Sequence, residues 1–150
     1  MPVFEGNLEA KKLKFGIVIS RFNSEITEAL LASALDGFEE CGVHQEDIVI
    51  AWVPGAYEIP LVAKRFADSK RMDAVMTIGC IIRGETVHFD LIANSLSYSI
   101  QKIALKTSIP IIFSVLATEN TAQAEERIDA GRTGALACVE MANLLQSLPV

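Results

Sequence analysis

The chain has only three cysteines, Cys41, Cys80 and Cys138, and no two of them form a CxxC pair. An odd number at wide spacing gives neither a disulfide framework nor a zinc site, so buried reduced thiols are the expected state. Two histidines, His44 and His88, stand far apart, which leaves no metal-ligand cluster. No apolar run approaches the ~18 residues of a membrane span. The opening MPVFEGNLEAKKLKFG also lacks the basic lead, apolar stretch and cleavage site of a secretory signal. The expectation is a cytoplasmic protein without a membrane partner. Basic residues are in deficit, 13 Lys and Arg against 19 Asp and Glu for a net charge of −6, and they form no block. A nucleic-acid binder would need a basic stripe to displace counterions, so no nucleic acid is expected as partner. There is no GxGxxG after the first apolar run and no GxxxxGK[ST] anywhere, which removes the dinucleotide and nucleoside-triphosphate fingerprints. Ser20-Arg21 stands where a response regulator would gather aspartates.

What is present is apolar residue, 51% of 150 positions, enough for one sizeable core, and a single domain over 1–150 is expected. Four runs rich in Val and Ile stand out: KFGIVIS (14–20), DIVIAWV (47–53), DAVMTIGCII (73–82) and PIIFSVLA (110–117). They are apolar nearly throughout, the pattern of strands covered on both faces. Between the first two, Ile26, Leu30, Leu31, Ala34, Leu35 and Phe38 recur at helical spacing up to Cys41-Gly42, where glycine can take a left-handed cap. Stretches of about 56–69 and 88–106 are long enough for two more helical crossovers, and Thr118–Arg127 and Gly131–Leu148 read as a short and a longer terminal helix. Strand, helix, strand repeated this way predicts an α/β protein: a four-stranded parallel sheet in a three-layer α/β/α sandwich. Residues 1–12 read as an extended arm in which Val3-Phe4 suits a very short edge strand, paired by a neighbouring subunit where its own domain cannot pair it.

In an open parallel sheet, ligands bind beyond the carboxyl ends of the strands, which singles out SRFNSEIT, PGAYEIP, RGETVHFD and ATENTAQAEER. Gly84-Glu85-Thr86 frees backbone N–H groups at a helix start, a setting that favours an anion, although Thr86 serves equally as an ordinary N-cap. His88 follows on the same turn and has the right chemistry to move protons near neutral pH, against the commoner structural role of a lone histidine. Phe22-Asn23 offers a flat apolar face beside an amide, suited to a heterocycle, or Phe22 simply caps the core. Glu58 in the first turn of a helix can accept hydroxyl hydrogen bonds or merely complement the helix dipole. Arg127 carries a guanidinium fork fit for phosphate. Cys80 has no adjacent base, so a buried thiol is favoured over a nucleophile.

Taken together, GIVISRFNSEIT, AWVPGAYEIP, GCIIRGETVHFD, PIIFSVLATEN, QAEER and VEMANL closely resemble the lumazine synthase family, in its order and spacing over nearly the whole chain. The resemblance implies a flavodoxin-like sheet and pentamers, some of which build sixty-subunit shells with active sites at subunit interfaces. It implies two small-molecule substrates and no metal or organic cofactor: a ribitylaminouracil and 3,4-dihydroxy-2-butanone 4-phosphate, condensed to 6,7-dimethyl-8-ribityllumazine with release of phosphate and water. By the same resemblance Phe22 stacks on the pyrimidine, with Asn23 and Tyr57 beside it. The backbone of Ala56–Glu58 and of Cys80, Ile81 and Ile82 holds the uracil and ribityl chain, Glu58 takes ribityl hydroxyls, and Phe113 reaches into the neighbouring subunit's site. Gly84, Glu85 and Thr86 hold the phosphate under Arg127, and His88 moves the protons. One segment departs from the family pattern: the chain reads ERIDAGRTGALACVEM, shorter than usual and without the family's lysine, so Arg132 is the candidate substitute. Two other functions fit the resemblance, a flavin-binding assembly without turnover and the related archaeal riboflavin synthase, but HFD and VPGAYEIP favour the synthase.

Overall fold

The four apolar runs form β1 (Phe15–Ser20), β2 (Ile48–Val53), β3 (Ala74–Ile82) and β4 (Ile111–Thr118) in a computed structural model that describes all 150 residues. Every pairing is parallel and the order across the sheet is β2-β1-β3-β4. Parallel neighbours require crossovers, and helices supply them: α1 (Ser24–Glu40), α2 (Ile59–Asp68) and α3 (His88–Thr107), followed by α4 (Thr121–Glu125) and α5 (Ala130–Ser147). The chain winds from β1 outward to β2, then returns past β1 to β3 and β4, so the order reverses between β1 and β3. That reversal opens a crevice at their carboxyl ends.

Side-chain alternation divides the core between the two faces. Phe15, Ile17 and Ile19 of β1 and Met76, Ile78 and Cys80 of β3 point toward α1 and α5, in a cluster of 20 buried residues. Val18, Val75, Ile81 and Val115 point the other way, toward α2 and α3, in a cluster of only 10. The expected left-handed cap is present: α1 ends at Glu40, and Gly42 has φ 82°. A single 3₁₀ turn, Ala56–Glu58, precedes α2 and accounts for the early start of the second predicted helix, while α4 begins at Thr121 because β4 runs on to Thr118.

One expectation fails within the single chain. β2 is not covered on both faces, because it is the sheet's edge and no helix reaches its outer half; Val49, Ile50 and Trp52 are 46%, 38% and 40% exposed. Val3-Phe4 is not paired as a strand within its own chain. The later part of the arm is tied to α5, where the Asn143 amide donates to the carbonyls of Asn7 at 2.8 Å and Glu9 at 3.0 Å. No helix is long and apolar enough to cross a membrane.

The close approach of α5 to α1 depends on glycine. A Cβ on Gly131 would overlap the Leu30 carbonyl oxygen and stand 2.9 Å from the Ser33 Cβ. Backbone cannot yield as a flexible side chain does, so Gly131→Ala should destabilise the fold by about 1–3 kcal/mol, read as a lower denaturant midpoint at unchanged slope. A wild-type midpoint would show that the two helices separate freely.

Candidate active site

The turn after β1 is held from both sides. Arg21 N–H donates to the Val53 carbonyl at 2.8 Å and Phe22 N–H to the Pro54 carbonyl at 3.1 Å, so the β1–β2 ladder continues past the strand. Asn23 then adopts the left-handed conformation, φ 61° and ψ 46°, and starts α1 by accepting from the N–H groups of Ile26 and Thr27 at 3.0 and 3.1 Å. Its side-chain amide is engaged: Nδ2 donates to the Cys80 carbonyl at 2.8 Å. The ring of Phe22 is left 71% exposed beside the crevice.

After β2, Pro54-Gly55 turns the chain, and Gly55 N–H donates to Glu58 Oε2 at 3.0 Å while Glu58 N–H donates to the Gly55 carbonyl at 3.2 Å. This reciprocal pair fixes the carboxylate at the mouth of α2 and leaves its second oxygen without a partner in the chain. After β3, the loop from Arg83 to Val87 carries Thr86, whose Oγ1 accepts from His88 N–H at 3.3 Å in a local turn; the N-cap position of α3 is Val87, which makes no side-chain cap bond, and His88 is the first residue of α3.

These loops enclose a cleft of about 530 Å³. Among the residues expected at a site, Phe22, Asn23, Ala56, Tyr57, Glu58, Cys80, Ile81, Ile82, Gly84, Thr86 and His88 all line it. Cys80 does so through its backbone, since its side chain belongs to the core beneath α1 and α5, and burial raises the thiol pKa. Glu85, Phe113, Arg127 and Arg132 do not line the cleft. Glu85 is exposed. Phe113 lies on β4, 44% exposed. Arg127 donates from Nη1 to the Gln123 carbonyl at 2.7 Å, with Glu126 3.8 Å away. The Arg132 guanidinium is taken by Glu40 of α1 through Nε at 2.9 Å and Nη2 at 2.8 Å, which lowers the Glu40 pKa. His44 sits just before β2, beside a separate cleft of about 740 Å³ at the amino ends of the strands that holds none of the expected site residues.

Sequence reasoning missed Phe89, Ile92 and Arg83. Phe89 and Ile92 line the cleft as the next inward positions of α3 after His88, a spacing that was readable. Arg83 was missed because its partners, on α3 and just after β4, meet it only in the fold. Its Nη1 donates to Asp90 Oδ2 at 3.2 Å, its Nε to Glu119 Oε1 at 3.1 Å, and its Cζ lies 4.4 Å from the Phe89 ring centroid. The Asp90 and Glu119 hydrogen bonds, in that order, raise its pKa. One side chain thereby ties the first residue of the loop to α3 and to the end of β4.

Comparison with known proteins converges on one family. A profile of 6,7-dimethyl-8-ribityllumazine synthase matches residues 12–146. Two relatives of that name, from strains of Clostridium kluyveri, are each 46% identical over 153 aligned positions, covering 99% of this chain and 99% of their own.

Arg83→Gln should accelerate amide hydrogen exchange several-fold from Gly84 to His88 while leaving β1 and β3 protected, because the loop has few other ties. Unchanged exchange in that loop would show that Arg83 does not hold it.

Proposed function

The chain belongs to the 6,7-dimethyl-8-ribityllumazine synthase family, and on that premise we propose that the cleft at the carboxyl ends of β1, β2 and β3 is its active site. The enzyme is a transferase of riboflavin biosynthesis. It condenses 5-amino-6-(D-ribitylamino)uracil with 3,4-dihydroxy-2-butanone 4-phosphate to 6,7-dimethyl-8-ribityllumazine, releasing phosphate and water. The observation that carries the assignment of the site is convergence: Phe22, Glu58, Gly84, Thr86 and His88, on three separate loops, meet at one cleft.

In this reading Phe22 stacks on the pyrimidine, and the backbone at Ala56–Glu58 and Cys80–Ile82 receives its polar edge. The unpartnered oxygen of Glu58 accepts ribityl hydroxyls, with Tyr57 narrowing the mouth. The phosphate sits on the N–H groups of Gly84, Glu85 and Thr86, where the start of α3 favours negative charge, and Arg127 closes over it. Arg132, bound to Glu40, is left out. The aromatic amine attacks the ketone, and loss of one water gives the imine. Elimination then releases phosphate, and ring closure releases a second water. His88, at the first position of α3 beside the phosphate loop, moves the protons. Much of the rate comes from holding two reactants together, which asks nothing of a metal or organic cofactor.

The enzyme works as a cytoplasmic homo-oligomer, a pentamer or a shell of pentamers. This is supported by apolar surface that a lone chain leaves in water: Val49, Ile50 and Trp52 on β2, Val87 just before α3, and Leu91, Tyr98 and Leu105 on α3. Phe113, absent from the cleft of its own chain, completes a neighbour's site, and the arm pairs with the exposed edge of β2 in the next subunit.

Mixing the purified protein with both substrates should produce lumazine absorbance above a protein-free control. His88→Ala should lower turnover by about 10²–10⁴-fold, the usual contribution of a placed proton-transfer group, with pyrimidine binding preserved in calorimetry. Unchanged turnover would remove His88 from the mechanism.

A further inference from the structure

An aromatic side chain 71% exposed has little of its own to fix its angle, and Phe22 has no ring partner; the one aromatic pair in the chain is Phe15 with Phe38. Its orientation is therefore set by backbone, through Phe22 N–H on the Pro54 carbonyl and through the residue that follows. That residue, Asn23, is one of four non-glycine positions with positive φ, and asparagine tolerates this conformation better than most side chains.

The Asn23 amide has a specific task. The ladder between β1 and β3 ends at Ile19 opposite Ile78, whereas β3 continues beside β4 to Ile82. The Cys80 carbonyl thus projects past the end of the β1 ladder, at the crevice where the strand order reverses. Asn23 Nδ2 supplies the missing donor at 2.8 Å, in a partly buried setting. The turn carrying Phe22 is then clamped to β2 on one side and to β3 on the other.

We propose that Asn23 is a positioning residue, whose amide bond to the Cys80 carbonyl holds Phe22 at the height and angle needed to stack on the pyrimidine. The inference rests on the reading of Phe22 as the stacking group, and it assigns Asn23 a role through Phe22 in place of direct contact with substrate. It also couples the two walls of the pyrimidine site, because the carbonyl that Asn23 occupies belongs to the Cys80–Ile82 backbone.

Two substitutions separate backbone from amide. Asn23→Asp keeps the shape and loses the donor, while Asn23→Gly keeps access to the left-handed backbone and loses the amide. Both should raise the KM for the pyrimidine about tenfold, on the order of one lost hydrogen bond, and leave the KM for the four-carbon phosphate unchanged. In a Phe22→Ala background neither should have any further effect, so the double-mutant cycle shows full coupling. A loss that is the same with or without the Phe22 ring would overturn the inference, since Asn23 would then act on substrate directly. Asn23 variants at wild-type KM beside a weakened Phe22→Ala would overturn it alone. Phe22→Ala at wild-type KM would overturn the stacking reading and the inference with it.

Discussion

Beyond Ser20 the chain leaves the sheet, yet its backbone goes on donating to the neighbouring strand, from Arg21 to Val53 at 2.8 Å and from Phe22 to Pro54 at 3.1 Å. The same happens on the other side of the crevice, where Arg83 N–H donates to the Thr118 carbonyl at 2.9 Å past the end of β3. These extensions decide where the site can be. A loop whose first residues stay in register with a rigid sheet has little freedom in where it delivers its side chains. Phe22, Glu58 and His88 are each within three residues of such an anchored segment or of a helix start. Asn23 then closes the gap that the reversal of strand order leaves between β1 and β3.

The two faces of that sheet are unequally finished. On one, α1 and α5 approach closely enough to require glycine at 131 and bury most of the core. On the other, α3 runs for 20 residues but buries only Leu96 and Ile100 fully. Burial of apolar area is worth roughly 25 cal/mol per Å², so leaving Leu91, Tyr98 and Leu105 in water forgoes stability that a second subunit would restore. The thinly covered face is also the one whose helices, α2 and α3, begin at the cleft. A site on the less self-sufficient side of a fold is one that a neighbour can complete, which is the physical support for the proposal of a site at an interface.

Periodicity alone located the four strands to within a residue at each end, because uninterrupted Val and Ile runs of six to nine residues admit little else. It failed where the covering of a strand depends on its place in the sheet: DIVIAWV reads like the other runs, but β2 lies at the edge. At the site, residues adjacent in sequence to strand ends were legible as a set. Their roles were less so, and Asn23 is the example. An amide beside an aromatic suggests ligand contact, whereas its partner Cys80 lies 57 residues away and only the fold reveals that the amide is engaged. Arg83 illustrates the converse, since nothing nearby in the sequence marks an arginine whose carboxylates come from α3 and the end of β4.

The shortened segment before α5 is explained by the same packing. Ala130 N–H donates to the Arg127 carbonyl at 3.0 Å and Gly131 N–H to Ile128 at 3.0 Å, so α4 passes into α5 through consecutive tight turns. Gly131 must then sit against Leu30 and Ser33, and Arg132 N–H donates to Ser33 Oγ at 2.9 Å. These contacts commit Arg132 to α1, where the Glu40 carboxylate accepts its planar fork, a geometry a lysine would match poorly. Arg83 is likewise held between two carboxylates. Arg127 is different: its side chain is 52% exposed, gives one N–H to the Gln123 carbonyl of α4 and lies 3.8 Å from the Glu126 carboxylate. In the proposed site of a chain of net charge −6, phosphate recognition would rest on this one arginine and on backbone N–H groups. Such a site would hold an anion by directed hydrogen bonds more than by bulk attraction.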